Sequence, residues 1–300
     1  MMSASAITID PAAVIVLTGP TAGGKSALAL ALAEQHGGSI INADASQLYA
    51  DLAIISARPG AEDLNRAPHL LYGVLDGAES ASAARWADMA KAAIADVRAA
   101  GRVPMLVGGT GLYLATLLHG IAPVPDIAAD VRAAVRALDT AVAAEHLARE
   151  DAALAQKLHK TDRQRILRGL EVVRSTGQSL LAWQQQRVGG ITRQLPVQKL
   201  VLDVPRADLH ARAEQRLWHM LAAGAVAEAA ALVARKLQAD RPVLRALGVA
   251  QFAAIADGSM APDAAIAAAA TATRQYQKRQ LTWLRGQAGD WPRVGMPATH

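Results

Sequence analysis

Residues 14–18 (VIVLT) form an unbroken apolar run closed by Gly19-Pro20, the pattern of a strand buried on both faces. The period then changes. Leu28, Leu30 and Leu32 among many alanines predict a helix over about 25–36, ended by Gly37-Gly38. Residues 39–43 (SIINA) predict a second strand. Residues 55–68, with Pro59, Gly60 and Pro68, predict a loop, and 70–75 are a short apolar run. A helix is expected over 82–99, stopped by Gly101. Residues 103–107 (VPMLV) predict another buried strand, followed by Gly108-Gly109-Thr110-Gly111 and a helix from about 112.

Strand and helix in alternation predict an α/β fold with a doubly wound parallel sheet. The pattern breaks after Pro123 and Pro125. From about 126 to 187 the chain is charged, Ala-rich and helical in period, with no convincing strand. Strand character returns at 198–204 (QKLVLDV), and 206–285 is mostly helical. The Ala/Thr run 264–273 is expected to be helix, since alanine has the highest helix propensity. The expected organisation is a core begun by 1–122, a helical insertion over 123–190, and a mostly helical, basic continuation of the core over 191–300. No repeat of fixed period is present.

Composition narrows the chemistry. Of 300 residues, 52% are apolar and only 3% aromatic, so Ala, Leu and Val must fill most of the core. Cysteine is absent, which excludes disulfides, Cys-ligated zinc and a thiol nucleophile. No apolar run approaches the roughly 18 residues of a membrane span. Residues 1–11 carry no basic residue ahead of an apolar stretch. The expectation is a cytoplasmic monomer with no membrane partner.

The net charge of +5 is unevenly spread. Residues 157–174 hold six basic side chains against two acidic ones, and 271–285 hold four basic and no acidic ones, so the rest of the chain is net negative. Arg274, Lys278 and Arg285 share one helical face, with Tyr276 and Trp283 among them. Such segments suit a nucleic-acid surface, or equally a solvated face above core aromatics. His69 and His119 have no partner at metal spacing, and the tryptophans are expected to pack. No Gly-x-Ser-x-Gly elbow occurs.

The strongest motif is Gly19-Pro20-Thr21-Ala22-Gly23-Gly24-Lys25-Ser26, which fits G-x-x-x-x-G-K-[ST] between an expected strand and an expected helix. Its glycines let backbone N–H groups converge on phosphate oxygens, and the helix start adds a favourable dipole. Lys25 neutralises phosphate charge, and Ser26 can offer its hydroxyl to Mg²⁺. At the end of the second strand, Asp44 would lie on the same rim, either to ligate Mg²⁺ through water or to accept a proton. A helix cap for 45–50 is the plainer role for Asp44. Gly108 to Gly111 meet that rim too, either as a tight turn or as a close approach to substrate with Thr110 as donor.

The ordered set GPTAGGKS (19–26), NADASQLYADLAI (42–54), PHLL (68–71), GGTGLY (108–113), TDRQRILRGLEV (161–172), RALG (245–248) and TRQYQKRQLTW (273–283) closely resembles the tRNA dimethylallyltransferases. The resemblance covers roughly 14–285. It implies a P-loop NTPase-like core with a helical insertion that grips the anticodon arm of tRNA. The implied reaction moves a dimethylallyl group from dimethylallyl diphosphate to the exocyclic amine of the adenine 3′ of the anticodon, with Mg²⁺ required. Asp44 would take the amine proton. Thr21, Lys25, Ser26 and Arg245 would hold the diphosphate, and Thr110 would stand beside the reacting centre. Contacts with tRNA are implied at Asp44, Ala45, Ser46, Gln47 and Thr110. They extend to Arg132, Arg163, Gln164, Arg165, Ile166 and Leu167 in the insertion and to Arg274, Lys278 and Arg279 in the basic helix.

The chain departs from the family pattern at several points. Ile55-Ser56-Ala57-Arg58-Pro59 stands for Ile-Gly-Thr-Ala-Lys-Pro, and Pro68-His69-Leu70 for Pro-His-His. Gly248-Val249-Ala250-Gln251 stands for Gly-Tyr-Lys/Arg-Glu, and Gly169-Leu170-Glu171 for Ala-Leu-Glu. Three rivals remain on sequence grounds. A small-molecule P-loop kinase leaves the basic segments unexplained. An adenylate isopentenyltransferase needs no extended surface. An RNA-binding module with a degenerate core does not need the intact phosphate loop.

Overall fold

The computed structural model describes residues 7–295. Two compact units are present, one made of the chain up to Leu117 and from Thr192 onward, the other of Leu118–Ile191.

The first unit is built on strands β1 (Val14–Thr18), β2 (Gly38–Asn42), β3 (His69–Leu70), β4 (Val103–Gly108), β5 (Val197–Leu202) and β6 (Arg293–Val294). Among the described residues they form one sheet in the order β3-β2-β4-β1-β5-β6, with every pairing parallel. β1, β2 and β4 are buried along their whole length, as their unbroken apolar runs predict. β1 is central, paired from Ile15↔Met105 to Thr18↔Gly108 on one side and from Val14↔Val197 to Thr18↔Val201 on the other. This alignment brings the carboxyl ends of β1, β2 and β4 to one rim, where doubly wound sheets bind their ligands.

Helices α1 (Lys25–His36), α2 (Ala61–Arg66), α3 (Ala83–Ala99) and α4 (Gly111–His119) follow the first four strands or their loops. α1 begins directly at the end of the phosphate loop, its N-cap Gly24 in the left-handed region at φ 93°. α3 is capped by Ser82, whose side chain accepts from Arg85 N–H. Its Trp86 is fully buried and donates its indole N–H to Asn42 O at 2.9 Å, tying the helix to the exit of β2.

The second unit holds α5 (Ala129–Arg136), α6 (Thr140–Glu150), α7 (Ala152–Ala155), α8 (Arg163–Thr176) and α9 (Leu180–Gln185). Its core is Val135, Ala143, Leu147, Leu154, Ile166 and Leu170. The Glu171 carboxylate is nearly buried between Arg136 at 3.2 Å and Arg168 at 3.5 Å. After β5 the first unit continues with α10 (Arg206–Ala222), α11 (Ala225–Ala234), α12 (Val249–Ala256) and the long α13 (Pro262–Gln287).

Three local differences from the sequence expectation have clear causes. The expected loop 55–68 contains α2, started by Gly60, whose N–H is accepted by Asp63 Oδ2 at 3.3 Å. The apolar run 70–75 supplies only the end of β3, because Leu71 turns the chain into the left-handed region at φ 64°. β6 is a two-residue edge strand, too short to show a periodic pattern. The compact helical unit spans 118–191 where 123–190 was expected.

Gly108 is required by the rim. A Cβ there would lie 2.2 Å from the backbone carbonyl of Ala43, where β4 passes the exit of β2. Gly108→Ala must push these strand ends apart. A drop of about 1–3 kcal/mol is expected in urea unfolding, the usual cost of overpacking. Unchanged stability would show that the ends are free to separate.

Candidate active site

The carboxyl rim of the sheet opens into a cavity of about 610 Å³. Thr21 to Ser26 line one wall, and Asp44 to Gln47 line another. Arg212 and Arg216 from α10, Arg245, and Tyr276 and Arg279 from α13 complete it. Gly19 and Pro20 stay behind this surface. Pro20 O accepts the Lys25 ammonium at 2.8 Å, so in this state the lysine folds back onto its own loop.

The loop is held from the far end of the chain. Gln280 on α13 accepts from Thr21 N–H at 2.8 Å and donates to Gly109 O at 2.9 Å. Gln277, one turn earlier, donates to Thr21 O at 3.0 Å. Both glutamines are buried, with Thr273 and Leu284 on the same face of the helix. Arg216 donates to the Thr21 hydroxyl at 3.0 Å, while its buried Nε has no partner among the described residues.

Asp44 sits in a turn of its own making. Its Oδ1 accepts from Ser46 N–H at 3.0 Å and from Ser46 Oγ at 2.7 Å. Its backbone N–H donates to Asn42 Oδ1 at 2.8 Å, and Asn42 Nδ2 donates to Asp44 O at 3.0 Å and Leu71 O at 2.9 Å. The segment after it is a single 3₁₀ turn, Ser46–Leu48, rather than the helix weighed for 45–50. Asp44 therefore caps a turn and lines the cavity at once. Gln47 continues the frame, donating to Ser56 O at 3.0 Å and Ala57 O at 2.9 Å. Glu228 on α11 fixes the same loop from outside: its carboxylate accepts from the N–H groups of Ala53, Ile54 and Ile55 at 2.7–2.8 Å. Ala57, which lines the cavity, is held in the left-handed region at φ 54°. Such strain persists only where surroundings impose it.

Thr110 does not line the cavity. Its Oγ1 accepts from Ala45 N–H at 3.1 Å and its own N–H donates to Ala43 O at 3.2 Å, so it braces the Asp44 turn from behind. Arg245 lines the cavity and donates to Asp240 O at 2.7 Å. Trp283, grouped by sequence with the basic residues, is packing: it meets Trp291 edge-on at 6.4 Å, and a Cβ on Gly111 would strike its ring. Lys278, Arg279 and Arg285 are exposed, and Arg274 is half-buried.

In the helical unit the expected tRNA contacts divide. Ile166 is a correction: it is 2% exposed in that unit's core and has no surface to offer. Leu167 packs against the same core. Arg163 donates to Leu138 O at 2.7 Å and Arg136 O at 2.9 Å, so its guanidinium closes the end of α5. Arg132, Gln164 and Arg165 are exposed, as are Lys157 and Lys160. His69 bonds Ala67 O through Nδ1, and among the described residues no cluster of His, Asp or Glu is built to hold a metal.

The profile of the IPP transferase family matches residues 47–287. The chain belongs to this family. A tRNA dimethylallyltransferase of Sphingopyxis alaskensis is 55% identical over 280 residues, covering 93% of this chain and 92% of its own. The tRNA dimethylallyltransferase of Zymomonas mobilis is 47% identical over 282 residues, covering 94% and 90%. Among solved structures, the tRNA isopentenylpyrophosphate transferase of Bacillus halodurans is 29% identical with a TM-score of 0.68, covering 96% and 91%. A eukaryotic dimethylallyltransferase described as acting on tRNA is 27% identical with a TM-score of 0.80, covering 94% of this chain and 73% of that one. The P-loop NTPase-like α/β core with a helical unit is therefore the fold of an IPP transferase.

The roles of several IPP transferase site residues of this chain were not legible beforehand. Arg212 and Arg216 lie on an ordinary amphipathic helix. Gln277 and Gln280 look like polar residues of a basic helix. Glu228 is one acid in an Ala-rich run. Only burial and long-range partners reveal them.

The electrostatics of the cavity await an anion. Burial lowers the Lys25 pKa to about 8, with Arg216 pushing the same way and Asp44 opposing. Burial also lowers Arg216, again opposed by Asp44. In the unfolded chain Lys25 keeps its proton to about 10.5. Between about 8 and 10.5 the unfolded state binds more protons, so this group adds stability as pH rises through that window. Lys25→Met, which cannot titrate, should melt above the wild type below the window, and the gap should narrow across it. A pH-independent gap would remove the effect.

Proposed function

We propose that this IPP transferase moves a dimethylallyl group from dimethylallyl diphosphate to the exocyclic amine of an adenine in tRNA, at the position 3′ of the anticodon. The observation that carries this reading is a single cavity in which the phosphate loop and Asp44 meet, in a chain that aligns with tRNA dimethylallyltransferases almost end to end.

The donor diphosphate would lie on the N–H groups of Thr21 to Ser26 at the start of α1, where loop amides and helix dipole both favour negative charge. Lys25 would leave Pro20 O for a diphosphate oxygen. Arg216, desolvated and already bonded to Thr21, would supply a second charge without further ordering. Arg245, which also lines the cavity, is the third candidate. The leaving diphosphate gains charge as the C–O bond breaks, so these fixed donors act most strongly in the transition state.

Mg²⁺ fits the donor set. It prefers oxygen ligands, keeps several waters and is commonly held by one or two protein oxygens plus substrate phosphates. The Ser26 hydroxyl, exposed on the cavity wall, would be that protein oxygen here. The ion would neutralise diphosphate charge.

Asp44 would orient the adenine amine and take its proton as the C–N bond forms. Its Oδ1 is held by Ser46, while its Oδ2 accepts no hydrogen bond from the described residues. Ala45 to Gln47 beside it would meet the swung-out nucleotide, since a stacked base cannot enter such a cavity. Thr110 would serve through the Ala45 amide rather than by touching substrate. The exposed cations Arg132, Lys157, Lys160 and Arg165 of the helical unit, and Lys278 and Arg279 of α13, would meet tRNA phosphates.

The test is incubation of the protein with labelled dimethylallyl diphosphate and unmodified tRNA, with the modified nucleoside located in digests. Strong, Mg²⁺-dependent thermal stabilisation by ATP alone, with no label entering tRNA, would instead indicate a kinase. Asp44→Asn should slow transfer by about 10²–10⁴-fold. Gel-shift affinity for tRNA should persist; a variant that still turns over at the parent rate removes the base from this position. Reversing Lys157, Lys160 and Arg165 to Glu should weaken tRNA binding and flatten its dependence on salt, by about one in log–log slope for each phosphate no longer neutralised. An unchanged slope would mean that the helical unit does not touch tRNA.

A further inference from the structure

The chain contains only four tyrosines, Tyr49, Tyr72, Tyr113 and Tyr276, and all four line the cavity at the sheet rim. None of the five tryptophans and not the single phenylalanine does so. In a protein so poor in aromatic residues, this concentration asks for a chemical reason.

Each ring is fixed by a neighbour. Tyr113 stacks on Trp86, with centroids 4.8 Å apart and planes 14° from parallel. Tyr72 meets His69 edge-on at 5.5 Å. Tyr276 carries the Arg279 guanidinium over its ring at 5.4 Å, so this ring already serves as a seat for a cation. Tyr49 and Tyr113 are both nearly buried, but the Tyr49 hydroxyl accepts from Ala81 N–H at 3.3 Å, which makes Tyr49 framework. The other three feel the charge of Asp44, which marks them as the rings around the proposed reacting centre.

Resting on the dimethylallyl transfer read above, we propose that Tyr72, Tyr113 and Tyr276 form an aromatic cage for the allylic carbons of the donor, stabilising their developing cation and keeping water from it. When the C1–O bond breaks, its electron pair leaves with the diphosphate and positive charge spreads over C1 and C3. The adenine amine lone pair then forms the C–N bond, and the amine proton passes to Asp44. A ring face attracts such a cation through its quadrupole. Water reaching the same carbons would instead give dimethylallyl alcohols and a proton. A phenolate would be a competing nucleophile. Burial first keeps the three hydroxyls neutral, with Asp44 next at Tyr72 and Tyr276 and Tyr49 ahead of Asp44 at Tyr113; Tyr276 is pushed up to about 12.

The test uses the full chain with unmodified tRNA and labelled dimethylallyl diphosphate, counting prenylated tRNA, dimethylallyl alcohols and free diphosphate. The half-buried Tyr72 and Tyr276 are replaced one at a time, by Leu and by Phe, and folding is checked by melting and tRNA binding. The cage requires each Leu variant to fall about tenfold in kcat with little change in donor KM. It also requires the Leu variants to release several-fold more alcohol per prenyl group transferred. Phe, which keeps the ring, should restore the wild-type partition. Leu variants that partition like the wild type, defects confined to donor KM, or Phe variants as leaky as Leu would each overturn the cage. Wild-type protein that transfers nothing to tRNA would instead overturn the transferase reading beneath it.

Discussion

Two buried glutamines on one helix fix the geometry on which the site depends. Gln280 joins Thr21 of the phosphate loop to Gly109 at the end of β4, and Gln277 holds the other side of Thr21. A phosphate loop works only if its N–H groups converge, and its own glycines make that shape possible without enforcing it. The enforcement comes from residues more than 250 positions away in sequence. Gln280, bonded at both ends of its amide, specifies distance as well as polarity, because removing a partner leaves a donor or acceptor stranded at a cost of about 1–3 kcal/mol; Gln277 holds through its Nε2 alone, its Oε1 having no partner among the described residues. The device requires α13 to lie close along the loop at Gln277 and Gln280.

The same closeness shapes the charges. Lys25 and Arg216 are both desolvated, and each is relieved in part by Asp44. A cavity that holds two poorly solvated cations beside one carboxylate is more comfortable once an anion enters. Diphosphate would satisfy Lys25 and Arg216 and leave the carboxylate to the amine. The loop that carries Ser56 and Ala57 is clamped by Glu228 from outside and by Gln47 from inside, so the wall facing that anion is stiff before it arrives.

The sequence made the frame legible and hid the wiring. Buried parallel strands write themselves as apolar runs, and the motif at 19–26 needs only local order, so β1, β2, β4 and α1 could be read directly. The helical unit was legible because proline and a change of period mark its entry. Charge counting misled where partners are tertiary. Within 157–174, Arg163 closes α5 and Arg174 grips Glu150, while Arg168 pairs locally with Glu171 and Arg165 with Asp162, leaving Lys157, Lys160 and the still exposed Arg165 on the surface. Ile166 could not be separated from its polar neighbours without knowing which face of α8 packs. Arg216 and Glu228 are invisible to any local pattern, and the motif that contains Gln277 and Gln280 does not say what either one holds; what distinguishes all four is the residue each one meets.

The departures from the family pattern can now be weighed by position. Gly169 lies where α8 meets α6 and α7, and a Cβ there would come 2.6 Å from Leu154, so the glycine matches a tight helix contact in the second unit. Val249 is buried at the start of α12, and Leu70 is half-buried in β3; neither lines the cavity. Arg58 turns its guanidinium to Tyr49 O, against Gly73, where the longer planar group replaces a lysine ammonium. Counted back from Pro59, Ile55 and Ser56 are the changes on the cavity wall itself, and Ala57 is the alanine of the pattern. There the backbone carbonyls, held by Gln47, are the groups in use, and a carbonyl is the same whatever side chain follows it. The altered side chains thus fall where packing can absorb them, while the groups that would meet diphosphate and amine keep their places.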